Sequence, residues 1–99
     1  MEQTTSTGVA PVLDIGGDIG AVVVRTPPAL AGLEIELARE REEVPFVHTA
    51  VRERHLPDRV VHAAVFAEVP AGTYTLLGVG AQPARPVTVT GGRVTELTW

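Results

Sequence analysis

The chain has 99 residues, 44% of them apolar and 20% charged. That composition suits one globular domain with a single core and excludes a disordered or fibrous protein. A net charge of −4, with eight Arg and no Lys or Cys, argues against nucleic acid as a partner and removes amine and thiolate nucleophiles, Schiff bases, disulfides and Cys-ligated zinc.

Residues 1–8 are small and polar and read as a flexible leader, with one domain over residues 9–99. The first residues lack the basic and apolar segments of a signal peptide, and no run approaches the roughly 18 apolar residues of a membrane span. The expected setting is the cytoplasm.

Val12 to Ile15 is a short apolar stretch, broken by Gly16-Gly17-Asp18-Ile19-Gly20 and followed by Ala21-Val22-Val23-Val24. The pattern predicts strand, turn and buried strand, ended by Pro27-Pro28, because proline cannot donate to a sheet ladder. Leu33 to Leu37 alternates apolar and acidic residues and predicts a strand with one wet face. The same stretch also fits helical spacing through Leu30, Leu33, Leu37 and Val44, with the strand preferred. Residues 39–43 read as a charged, solvated connection.

Residues 46–54 and 59–69 read as two extended segments joined by the turn His55-Leu56-Pro57-Asp58, a β-hairpin. Pro70-Ala71-Gly72 turns into a strand at Thr73 to Leu77, and residues 78–86 form a Gly/Ala/Pro-rich loop. The most definite local signal is Val87 to Thr90, Gly91-Gly92, then Arg93 to Leu97. It predicts a second hairpin, with glycine supplying the positive φ of a two-residue turn. Pairing Val89 with Val94 there disturbs the alternation and calls for a bulge near Thr95. About seven short strands at this spacing predict an all-β, antiparallel sandwich or small barrel.

The segment Ala64 to Leu76, with its Pro-Ala-Gly turn and Gly-Thr-Tyr-Thr-Leu strand, and Val87 to Val94 beyond it resemble the ending of prealbumin-like (transthyretin-like) β-sandwiches. Carboxypeptidase regulatory domains and Cna B-type repeats are of this kind. The resemblance implies a prealbumin-like sandwich, and it implies fold alone. Together with residues 13–21 and 48–54, the chain also resembles a group of short actinobacterial proteins, which would carry a phospholipase reading. The residues oppose that activity: Ser6 is the sole serine, no Gly-x-Ser-x-Gly elbow exists, and a His-Lys-Asp motif cannot form without Lys. The Tyr-Arg-Gly-Ser ending of hydroxyisourate hydrolases has no counterpart before Leu97-Thr98-Trp99, and the Lys-Asn crosslink of Cna-type repeats is impossible without either residue.

His48, His55 and His62 are the three histidines, all in or beside the expected hairpin. A divalent metal needs at least two ring nitrogens converging on one ion, with Glu53 or Asp58 as the candidate oxygen ligand. A three-residue loop sets Arg54 opposite Asp58 and brings His48 and His62 to one face as diagonal neighbours; a four-residue loop sets Arg54 opposite Arg59 and sends them to opposite faces. The competing reading is that they are ordinary half-exposed strand residues. Arg52 and Arg54 share a strand face and can clamp a carboxylate or phosphate, against the plainer reading of a wet sheet face. Asp14 and Asp18 fit no calcium loop, and Gly16 to Gly20 lacks the following helix of a dinucleotide site. Tyr74 and Trp99 read as packing residues. The function expected is a non-catalytic accessory or binding module with a protein partner, or a homo-oligomer formed through an edge strand. The alternatives are a metal-binding protein using His48 and His62, and a small hydrolase.

Overall fold

A computed structural model describes residues 15–40 and 45–99. These form eight strands: β1 (Ile19–Thr26), β2 (Glu34–Arg39), β3 (Pro45–Ala50), β4 (Arg52–Leu56), β5 (Arg59–Pro70), β6 (Gly72–Leu76), β7 (Arg85–Val89) and β8 (Val94–Thr98). One 3-10 turn at Pro28–Leu30 is the only helical element among the described residues, and no helix there is long and apolar enough to cross a membrane. The strands form two four-stranded sheets, β4-β5-β1-β8 and β3-β2-β6-β7, an all-β arrangement of sandwich type.

The β-branched run at Ala21 to Val24 becomes the middle of β1, and all four residues are buried. Its two edges are paired by β5 and β8, while Val22 and Val24 enter the main core and Val23 joins a separate small cluster on the opposite face. The wet-faced strand at residues 34–39 is β2, so the helical reading of this region gives way. Ile35 and Leu37 point into the core while Glu34 stays exposed. Val22, Val24, Ile35, Leu37, Val51, Ala64, Phe66, Val69, Tyr74, Leu76, Val87 and Val89 fill the space between the sheets. Trp99 packs on their edge and donates its indole N–H to the Pro83 carbonyl at 3.1 Å.

Several expectations need correction. The stretch 46–54 is not one strand. It breaks at buried Val51, whose N–H and carbonyl leave the ladder for the Leu33 carbonyl and the Gly32 N–H. Residues before the break join β2 in one sheet, and those after it join β5 in the other. The β4–β5 hairpin turns on Pro57-Asp58 alone, with Leu56 opposite Arg59 and Arg54 opposite Val61, so neither loop length considered for it applies.

Gly91-Gly92 does not close a hairpin. Strand β7 pairs antiparallel with β6, and β8 crosses to the other sheet to pair parallel with β1, the one parallel pairing among the named strands. The bulge expected near Thr95 falls away with that hairpin: Ala21 to Arg25 match Val94 to Thr98 without a shift. The turn itself is tight, with Arg93 N–H donating to the Thr90 carbonyl and Gly92 at φ +76°. Positive φ at the second central residue only is the type II pattern, not the primed turn of a hairpin. The stretch 12–14 lies outside the described residues.

Candidate functional site

The expected histidine pair is separated by the break at Val51. His48 lies on β3, opposite Glu36, with its Nδ1 against a Glu34 carboxylate oxygen. His62 lies on β5, opposite both Thr26 and Glu53, in the other sheet. His55, on β4, has its Nε2 3.3 Å from a Glu53 carboxylate oxygen. The three histidines are thus spread over three strands and two layers. Among the described residues no group of three or more His, Asp or Glu side chains is arranged to hold a metal ion.

The arginines converge instead. Residues 52 and 54 share a face of β4 by simple alternation. Ala63 of β5 is the register partner of Arg52 on one side and of Arg25, on β1, on the other. Cross-strand partners share a face, so Arg25, Arg52 and Arg54 all rise from the same outer surface of sheet β4-β5-β1-β8. The Arg54 head leans back over this row, its Nη2 3.5 Å from the Ala63 carbonyl, the long end of a hydrogen bond. Beneath the arginines Val23, Ala63 and Val65 form a small buried cluster separate from the main core.

Charge within this patch is unevenly compensated. Arg25 Nε lies 2.9 Å from a Glu96 carboxylate oxygen, though that oxygen sits off the N–H direction and the buried Nε makes no hydrogen bond. Arg54 Nε is also buried without a partner. Burial lowers the pKa of Arg54, and the neighbouring Arg52 charge lowers it further, yet guanidinium stays protonated at any ordinary pH. The outer surface of the other sheet differs in sign. Glu34 and Glu36 on β2 and His48 on β3 stand there beside Thr73 and Thr75 of β6.

Sequence pattern paired Arg52 with Arg54 but could not add Arg25 or Glu96. Those two arrive through the β1–β5 and β1–β8 registers, and no local signal specifies such long-range pairings. Tyr74 is a packing residue: its hydroxyl donates to the Pro70 carbonyl at 2.7 Å, a tyrosine corner at the β5–β6 turn. Its pKa is raised by burial, against an opposing pull from Arg39, whose guanidinium lies 4.1 Å from the Phe46 ring centre and 5.9 Å from that of Tyr74.

No family model, curated protein or solved structure matches this chain.

Proposed function

We propose that this chain is a non-catalytic binding module with a prealbumin-like sandwich, and that it engages a protein partner, in the simplest case a second copy of itself, by adding a strand along β8. The state of the sheet edges supports this reading. Three of the four edge strands carry features that discourage pairing. β3 opens on Pro45 and is bulged against β2, β4 presents Arg52-Glu53-Arg54-His55, and β7 has Pro86. Strand β8, Val-Thr-Glu-Leu-Thr, has no proline and one charge.

Its main-chain polarity favours the same edge. Ala21 N–H donates to the Arg93 carbonyl and Trp99 N–H to the Arg25 carbonyl, so odd-numbered residues turn their backbone groups toward β1. Alternation then points those of Val94, Glu96 and Thr98 outward. The Thr98 carbonyl is taken by Arg85 Nη1 at 2.8 Å, which leaves Val94 and Glu96 to receive a partner strand. Two copies meeting antiparallel along β8 would form an isologous, self-limiting dimer.

Sedimentation across a wide concentration range tests the reading. The wild type is expected to form a reversible dimer. Glu96→Pro, which removes an outward donor without touching the β1 ladder, is expected to stay monomeric with an unchanged circular dichroism spectrum. A wild type that remains monomeric throughout overturns the homotypic form.

A further inference from the structure

We propose that the outer surface of sheet β4-β5-β1-β8 is a binding site for a phosphate monoester dianion, gripped by Arg52 and Arg54 and flanked by Arg25. This site is separate from the β8 edge and does not depend on its role.

Convergence comes first. Arg25 and Arg52 are both register partners of Ala63, which puts their backbones on one row about 10 Å apart, two inter-strand spacings. Ala63 between them is fully buried, with Val23 and Val65 at 6% and 7% exposure. The Arg54 head leans over this row toward the Ala63 carbonyl. The floor is apolar, which strengthens electrostatic attraction above it relative to open solvent.

The charge count selects the ligand. Arg25 faces Glu96, whereas Arg52 and Arg54 have no carboxylate within ion-pair distance among the described residues. Among the described residues two positive charges are therefore left uncompensated side by side, and one of them has a buried Nε with an unused donor. A phosphate monoester carries about −1.5 to −2 charges at neutral pH with three acceptor oxygens, enough to answer both guanidiniums. One carboxylate would leave a positive charge over. Guanidinium forks bind phosphate oxygens in pairs, so the all-arginine composition suits the task better than lysines would.

The site is tested by following the Arg54 Nε–H resonance of ¹⁵N-labelled full-length protein during titration with inorganic phosphate, O-phosphoserine and acetate. Both phosphates are expected to shift it saturably, with a dissociation constant on the order of 1 mM, and acetate not to saturate. O-phosphoserine binding more tightly than inorganic phosphate would identify a phosphorylated residue as the source. Equal affinity would identify free phosphate. Arg52→Gln is expected to weaken binding about tenfold, as for one lost charge-assisted contact. Glu96→Gln is expected to strengthen it, and Arg39→Gln, on β2 of the other sheet, to leave it unchanged. Because Arg52 is exposed, its variant keeps the test valid if Arg54→Gln fails to fold. Non-saturating phosphate shifts, equal shifts with acetate, or an Arg52→Gln protein that binds like wild type would each overturn the site.

Discussion

At one end of the sandwich three connections are tied to one another; at the other, β4 and β5 run out into a hairpin that touches little else. The tied end consists of the turn at 16–19, the corner at 70–74 and the crossover at 90–93. Ala71 N–H donates to the Asp18 carbonyl at 2.7 Å, Gly92 N–H to the Ile19 carbonyl at 2.8 Å, and Tyr74 hydroxyl to the Pro70 carbonyl. The free end is the turn at Pro57-Asp58. Residues 59–61 of β5 extend past Thr26, the last β1 residue paired with β5, and pair with β4 alone. Both ends use two-residue turns, so turn chemistry does not explain the difference. What distinguishes them is whether the flanking strands stay in one sheet or change sheets.

The sharpest way to break this comparison is to separate close approach from backbone angle at Gly91 and Gly92. A Cβ at Gly91 would sit 1.9 Å from the Gly17 carbonyl oxygen and 3.0 Å from Asp18 Cα. Both are main-chain atoms, which cannot swing aside. Gly91→Ala is therefore expected to cost about 3 kcal/mol or more, at or above the usual cost of overpacking, read as a shift in the urea midpoint. At Gly92 a Cβ meets nothing within 4 Å, but φ is +76°, so Gly92→Ala should cost about 1–2 kcal/mol from the left-handed backbone alone. An ordinary exposed hairpin would make the two substitutions similar. Equal costs would mean that the crossover does not pack on the 16–19 turn.

Tyr74 tests whether the corner belongs to the same tied unit. Tyr74→Phe removes the hydroxyl bond to Pro70 and is expected to cost about 1 kcal/mol. The same residue governs the alkaline limb of stability. Its folded pKa is raised by burial, so its contribution is complete below the ordinary phenol value of about 10. As pH rises past that value the unfolded chain ionises first, and stability falls until the folded pKa is reached. With no Lys, no Cys and a single Tyr in the chain, few other side chains titrate in that window. The urea midpoint of the wild type should drop there, and that of Tyr74→Phe should stay nearly flat. A drop of equal size in the variant would assign the alkaline limb to another group.

These two ends also mark how far the sequence could be read. Elements whose signal is local were legible: the β-branched run of β1, the alternation of β2 and the Pro-Ala-Gly turn before Tyr74. Positive φ at Gly92 was legible too, since glycine declares it. The partner of the strand beyond was not, because the β8–β1 pairing joins residues some seventy positions apart and leaves no trace between Thr90 and Arg93. The break at Val51 was hidden for another reason. Val51 is a good strand former with no proline or glycine beside it, and its departure from the ladder depends on acceptor and donor groups at Leu33 and Gly32. The charge pattern gave no hint either: Glu53, opposite His62, keeps the side of its strand that unbroken alternation would give it and stays exposed there. Missing that break placed His48 and His62 on one hairpin. It left the arginine pair on β4 correctly matched but without Arg25.

The smallest effect belongs to the free end. Pro57 sits exposed in the turn between β4 and β5, where its fixed φ restricts the unfolded chain more than it supports any tertiary contact. Pro57→Ala should therefore cost about 0.5 kcal/mol, chiefly through the added freedom of the unfolded state. Hydrogen exchange makes the same contrast without mutation. Main-chain amides of β4 and residues 59–61 are expected to exchange through local opening, whereas those of Val22 and Val24, buried between two paired strands, exchange only on global unfolding. Pro57→Ala should speed exchange in the first group and leave the second nearly unchanged. A uniform change across both groups would show that the hairpin unfolds with the whole sandwich, so that the free end is as firmly tied to the core as the crossover end.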